Sequence, residues 1–157
     1  MTGASPQLSP EETARRAAEA MWTADRASQS LGMEILEIGP GAATLAMTVR
    51  ESMTNGHDTA HGGLIFALSD SAFAFACNSY GEVAVAAHCS IAFIRPARRG
   101  DRLIAKAREI SRSGRSGIYD VQVSVDGAVI AEFRGHSRVV GGSFVTSGDI
   151  APQNREP

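Results

Sequence analysis

Apolar residues recur at helical spacing near the start of the chain, at Ala17, Ala18, Met21, Trp22 and Ala27, directly after Ser9-Pro10-Glu11-Glu12. That tetrad reads as a capping box with proline at the first helical position, and it predicts a helix that starts there. Gly32 is its natural stop. Over residues 33–38 the period shortens to two, with Glu34 and Glu37 interleaved, and Gly39-Pro40-Gly41 turns the chain into a second short run at 44–49. This pair predicts a hairpin. Residues 64–79 are almost continuously apolar, broken by Ser69, Asp70 and Ser71. Their length and alanine content predict a buried helix that ends before Gly81. Strand follows strand after that: 83–94 closed by Pro96, 101–111, 118–125, then Asp126-Gly127 as a two-residue turn into 128–140. A helix with almost no polar side has to be wrapped by sheet. The pattern is therefore α+β, with an antiparallel sheet of about six strands around one long central helix and an extra helix at the N-terminus.

The length of 157 residues suits one domain spanning 1–157. Its ends, 1–8 and 142–157, carry no periodicity and are expected to be disordered. A net charge of −2 and a pI of about 6.1 argue against nucleic acid or a membrane surface as partner. The charge is uneven, however. Between Arg95 and Arg115 eight basic residues stand against Asp101 and Glu109, which points to an anionic partner. The two cysteines, Cys77 and Cys89, have no paired spacing, so neither a disulfide framework nor a zinc site is expected. The N-terminus lacks a basic segment followed by an apolar core, and the longest apolar stretch is too short and too polar to span a bilayer. A cytoplasmic setting is expected.

The loop Asn55-Gly56-His57-Asp58-Thr59-Ala60-His61-Gly62-Gly63 leads straight into the apolar helix. A pair of glycines at that junction lets unpaired backbone N–H groups face a carbonyl. Gly62 is the stronger donor, and a tight turn accounts for Gly63. Asp70 sits among Phe66, Ala67, Phe73, Ala74 and Cys77 at helical spacing, where an unpaired carboxylate suffers a desolvation cost of several kcal/mol. It either bonds to Ser69, Ser71 or a neighbouring arginine, or lies at an interface, or faces a cleft. Eight helical residues separate Gly62 from Asp70, which is roughly 12 Å. Chemistry on one carbonyl needs both within ~3 Å or one water. Two copies of the helix, antiparallel about a two-fold axis, would bring Gly62 of one to Asp70 of the other, so a dimer follows. His61 either fixes the loop or touches the carbonyl oxygen; Asn55 either orients a water or forms a turn.

Other chemistries find little support. His57 and His61 are four apart, but their loop holds two glycines and no third ligand lies close in sequence, so no metal is expected. His57 and Asp58 read as loop residues, and His88 and His136 as strand residues. No Gly-x-Ser-x-Gly elbow, phosphate loop or dinucleotide fingerprint occurs. Arg95, Arg98 and Arg99 flank one turn, and Arg112, Gly114 and Arg115 a second, taken to be its neighbour in the sheet. Arginine forks and free turn N–H groups suit phosphates. Leu64, Phe66, Phe73 and Met53 are the candidates to line a pocket for a planar apolar guest.

Several segments together resemble the hotdog-fold acyl-coenzyme A thioesterases of the phenylacetate degradation pathway. They are Asn55-Gly56-His57, His61-Gly62-Gly63, Leu68-Ser69-Asp70, Ala72-Phe73-Ala74, Ala76-Cys77-Asn78-Ser79, Phe93-Ile94-Arg95-Pro96, Gly117-Ile118-Tyr119-Asp120 and Phe133-Arg134-Gly135. The likeness covers about residues 18–145; the first helix is longer than in that family, and the tail has no counterpart. The resemblance implies a hotdog fold and hydrolysis of an aryl-acyl-coenzyme A thioester, of phenylacetyl or ring-hydroxylated phenylacetyl type, to free acid and coenzyme A. Asp70 would be base or nucleophile. Gly62 N–H would polarise the carbonyl, Asn55 and His61 would position water or substrate, and Gly63, Phe66, Phe73 and the five arginines of the two turns, with Gly114, would bind substrate. Coenzyme A enters only as part of the substrate, with no separate cofactor. The family implies a tetramer made of two dimers, each with its sites at the seam. A hotdog enoyl-coenzyme A hydratase or dehydratase and a non-catalytic acyl-coenzyme A binding module are the alternatives, and aryl and medium-chain alkyl groups both stay open as the acyl part.

Overall fold

The computed structural model describes residues 7–145. Helix α1 (Pro10–Ala24) begins where Ser9 Oγ accepts the Glu12 N–H at 3.1 Å, with Pro10 in its first turn. The single N-terminal helix expected from the pattern is in fact two. Asp25 leaves helical geometry at φ −84°, ψ 79°, donates its N–H to the Trp22 carbonyl and takes the Ser28 N–H and hydroxyl on its carboxylate at 2.9 and 2.6 Å. A short polar side chain that can cap competes with helix propagation, and here it restarts the chain as α2 (Arg26–Ser30). Gly32, at φ +70°, ends the pair.

Strands β1 (Glu34–Gly39) and β2 (Ala42–Thr48) form the expected hairpin. A short 3-10 turn (Glu51–Met53) and a loop held by the bridges Thr54–Ala60 and Thr59–Arg98 lead into the central helix α3 (Gly62–Cys77). Then come β3 (Glu82–Phe93), β4 (Arg102–Ser113), β5 (Ser116–Val125) and β6 (Ala128–Ser143). All six strands join one antiparallel sheet in the order β1-β2-β4-β5-β6-β3. The β5–β6 turn is Asp126-Gly127 with both residues at positive φ, 48° and 81°, whose hand matches the twist of the flanking strands.

The sheet curls around α3. Ile65, Leu68, Ala72, Phe73, Phe75 and Ala76 of that helix are buried against Leu45, Met47, Leu103, Ala105, Tyr119, Val121, Val123 and Phe133 of β2, β4, β5 and β6. Leu45, Leu68 and Leu103 are fully buried, and each contributes about 1.5–3 kcal/mol by leaving water. Helix α1 adds Trp22, whose ring lies 6.3 Å from that of Phe75. Strand β3 is a sheet edge and only loosely covered by α3. Phe66 and Asp70 of α3 and Cys89 and Ile91 of β3 are only partly buried.

One expectation for the tail is corrected. Strand β6 runs on to Ser143, and the Phe144 N–H reaches the Gly81 carbonyl at 2.8 Å, so residues 142–145 are held against the β3 side rather than frayed. Of the rest of the expected disorder, residues 7–8 are described and belong to no helix or strand, while 1–6 and 146–157 lie outside the described residues. No described helix is long and apolar enough to cross a membrane.

Candidate active site

At the mouth of α3 the backbone donors are not equivalent. His61 is the N-cap, and its Nδ1 accepts the Gly63 N–H at 3.0 Å, while its carbonyl accepts from Leu64 at 2.9 Å and Ile65 at 3.3 Å. That leaves the Gly62 N–H as the donor of this first turn with no acceptor among the described residues. His61 therefore fixes the loop through Nδ1, and Gly63 is spent on the cap. Asn55 also works on the loop, because its Oδ1 accepts from the His57 N–H (2.9 Å), the Thr59 N–H (3.3 Å) and the Thr59 hydroxyl (3.0 Å). Its Nδ2 has no partner among the described residues.

Asp70 lies on the same helix, two turns further on, at the partly open side. Neither serine beside it is its partner: Ser69 Oγ donates to the Ile65 carbonyl at 2.9 Å, and Ser71 Oγ shares a 2.8 Å hydrogen bond with Ser28 of α2. The carboxylate has no hydrogen bond or ion pair among the described residues. Burial raises its pKa, since the charged form loses water and gains nothing in return.

On β3, Cys89 and Ile91 pack against the core at period two. The Cys89 thiol is pushed up to about 11, by burial first and by the charge of Asp70 second. Cys77 is pushed up to about 12 by the same two causes in the same order. Both are inert thiols at neutral pH. Phe93, next in that alternation, lies over the end of the helix, so that a Cβ on Gly62 would stand only 3.0 Å from its Cζ. Sequence reasoning missed this residue as a neighbour of Gly62. The two-residue repeat Cys89, Ile91, Phe93, read as one face, was the available signal.

Two sets of expected site residues are corrected. Phe73 is 1% exposed and packs on Tyr119 and Phe133 with ring centroids 5.7 and 5.9 Å apart, so it belongs to the core and lines no pocket. Met53 is buried likewise, at 2% exposure. Phe66 is half-buried, edge-on to Phe133 at 5.3 Å.

The two arginine turns are not neighbours, because β4 runs between them and its twelve residues, at ~3.3 Å each, hold them roughly 36 Å apart. Arg112 stacks 3.5 Å over the Tyr80 ring and approaches Glu109 at 3.8 Å, and Arg115 Nε donates to the Val139 carbonyl at 3.0 Å. Gly114 sits in that distant hairpin. Near Gly62, Arg99 is engaged by Glu51 (3.5 Å) and Asp58 (3.6 Å), whereas the guanidiniums of Arg95 and Arg98 have no partner among the described residues. Among the described residues no group of three or more His, Cys, Asp or Glu side chains could hold a metal ion.

Comparison with known proteins adds family to this geometry. The thioesterase superfamily matches residues 57–131, the span from the loop before Gly62 to early β6. The acyl-coenzyme A thioesterase PaaI of Escherichia coli (strain K12) is 42% identical over 128 residues, 81% of this chain and 91% of that protein. The solved structure of the E. coli PaaI protein from the phenylacetic acid degradation operon superposes with a TM-score of 0.84 at 40% identity, covering 86% of this chain and 99% of that one. A mutant of the phenylacetic acid degradation protein PaaI from Thermus thermophilus matches with a TM-score of 0.72 at 40% identity, over 74% of this chain and all of that one.

Proposed function

The chain belongs to the thioesterase superfamily and is an acyl-coenzyme A thioesterase of the PaaI type, and from that premise we propose that it hydrolyses aryl-acyl-coenzyme A thioesters, of phenylacetyl or hydroxyphenylacetyl type, at sites shared by two copies. A single observation carries the catalytic part. The same helix bears an unpaired half-buried carboxylate and an unpaired backbone donor, too far apart to meet within one chain. Pairing two helices antiparallel places Asp70 of one protomer opposite Gly62 of its partner. The open edge of β3 supports this assembly, since a long uncovered strand invites a second copy. Two such dimers make up the tetramer implied by the family.

In this arrangement the thioester carbonyl oxygen accepts a hydrogen bond from the Gly62 N–H. Asp70 takes a proton from a water as that water adds to the carbonyl carbon, and collapse of the tetrahedral intermediate breaks the C–S bond. The sulfur leaves as thiolate and takes up the proton, giving free acid and coenzyme A. His61 and Asn55 keep the loop in shape, with the Asn55 amide positioned for the water. Oxyanion and base terms of this kind are worth about 3–5 kcal/mol, or 10²–10⁴ in rate. Phe66 offers a ring edge to an aromatic acyl group, and Arg95 and Arg98 are free to meet the coenzyme phosphates. A cytoplasmic setting is part of the same reading.

Thiol release from phenylacetyl-, hydroxyphenylacetyl- and straight-chain acyl-coenzyme A tests this function. Aryl esters are expected to turn over best, and Asp70→Asn is expected to keep the fold and the oligomer while losing 10²–10⁴ of the rate. Full turnover by Asp70→Asn, or a monomer with full activity on sizing, removes the shared site.

A further inference from the structure

On the outer face of the sheet His88 of β3 stands directly opposite His136 of β6. That placement depends on one extra residue. Ala84 and Cys89 pair with Val139 and Gly135, but the register shifts between Ala86 and His88, so Ala87 has no partner on β6. Ala84 is buried, and an unbroken two-residue alternation would carry His88 inward with it; the bulge turns His88 outward, beside His136. The two rings lie 5.6 Å apart, centre to centre, at 75° to one another. Neither imidazole has a hydrogen bond or ion pair among the described residues. A hollow of about 410 Å³ opens beside them, lined by both histidines together with Ser111, Ser113, Ser116 and Arg138.

We propose that His88 and His136 chelate a divalent transition ion, Zn²⁺, Ni²⁺ or Cu²⁺, on this face, and that the ion clamps the edge strand β3 to β6. The site stands apart from thioester hydrolysis and does not depend on it. Imidazole nitrogen suits these ions. A Zn–N bond of about 2.0–2.1 Å puts the ion roughly 3.2 Å from each ring centre, so two imidazoles at the tetrahedral angle have centres about 5.2 Å apart. The rings of His88 and His136 are within a few tenths of an ångström of that spacing, which a small side-chain rotation closes. Water fills the remaining positions, with the hydroxyls of Ser111, Ser113 and Ser116 at hand to hold it. Two protein ligands make a weaker, more exchangeable site than the four of a structural zinc centre. The flanking charge is mixed. Arg134, the next outward residue of β6 on one side of His136, is held by both oxygens of Asp120 at 2.6 and 2.8 Å. Arg138, the next on the other side, has no acidic partner among the described residues. It therefore opposes a cation in the hollow, and its effect on the ion has a definite sign.

Calorimetric titration of the untagged protein with Ni²⁺ and with Zn²⁺ tests the site. A single ion per chain is expected, and Mg²⁺, which takes oxygen ligands, should give no heat. His88→Ala and His136→Gln are each expected to weaken binding by about tenfold or more, and the double variant no further, because chelation needs both rings. At an ion concentration about a hundred times Kd the wild type should melt about 5–10 °C higher than without the ion, a gain that either variant loses. Arg138→Gln should tighten the ion, since a like charge is removed. His57→Gln, in the loop before α3, should change nothing. The site is overturned by two ions per chain of which each variant loses one, by undiminished affinity in His88→Ala, or by a loss in His57→Gln alone. Binding of inorganic phosphate that Arg138→Gln weakens, with no response to Ni²⁺ or Zn²⁺, would give the hollow to an anion and overturn it too.

Discussion

Asp70 on α3 and Cys89 on β3 lie close enough that the charge of the carboxylate is the second cause, after burial, that pushes the thiol up to about 11. Replacing Asp70 by Asn takes away the charge and keeps the shape. In a Cys77→Ser background, the midpoint of Cys89 alkylation against pH is therefore expected to fall from about 11 in the Asp70→Asn variant. An unmoved midpoint would mean that the carboxylate points away from β3, and Asp70 could not then reach a substrate held against that strand.

Asp70 also carries a stability cost with a definite sign. Burial raises its pKa in the folded chain, so the native state binds a proton more readily than the unfolded one, and stability falls as pH rises from the ordinary carboxylate value through the raised one. Asp70→Asn is expected to melt at a higher temperature than wild type near pH 7, with the gap closing as pH drops toward the ordinary carboxylate range. Activity runs the other way. The base has to be ionised, so kcat/KM is expected to fall on the acid side around a pKa above that of a free aspartate. Thermal melts and pH–rate profiles on the two proteins check both signs.

Much of this was legible in the sequence because local patterns and tertiary context agree. Ser9-Pro10-Glu11-Glu12 starts α1, Asp126-Gly127 turns β5 into β6, and the apolar run over residues 64–79 is the wrapped helix. Gly62 could be preferred to Gly63 as donor, yet the reason, that His61 Nδ1 consumes the Gly63 N–H, needs coordinates. The illegible features have more than one cause, and the first is contact between residues distant in sequence. Phe73 sits on the helix near Asp70 in sequence but packs on Tyr119 and Phe133 in the core. The two arginine turns look adjacent along the chain, while a strand by nature separates its own ends. Asp25 breaks the first helix because its carboxylate finds Ser28, a local competition that the surrounding apolar spacing hides.

Gly135 of β6 lies beneath the ring of Phe73, where a Cβ would come within 2.8 Å of three ring atoms. The ring is buried among Tyr119 and Phe133 and has little room to move. Gly135→Ala is expected to cost about 1–3 kcal/mol through overpacking, seen as a lower denaturation midpoint with an unchanged m-value. A double variant that shortens the ring, Gly135→Ala with Phe73→Leu, should recover part of that loss. Absence of any recovery would locate the strain elsewhere.

At the far end of the barrel Glu109 accepts two phenolic hydrogen bonds on one oxygen, from Tyr80 at 2.8 Å and from the buried Tyr119 at 2.9 Å. Burial first, then the hydrogen bond and charge of Glu109, push Tyr80 up to about 12 and raise Tyr119 as well. Two substitutions separate the causes. Glu109→Gln keeps an acceptor and drops the charge, so the Tyr80 phenol should titrate lower than 12 by absorbance while the loss of stability stays small. Glu109→Ala removes the acceptor too and strands the Tyr119 hydroxyl in the core, at an expected cost of about 1–3 kcal/mol. Because this cluster lies at the opposite end of β4 from the arginine turn beside Gly62, both variants are expected to keep the wild-type KM for acyl-coenzyme A. A raised KM in the Gln variant would show that the two ends of the strand are coupled.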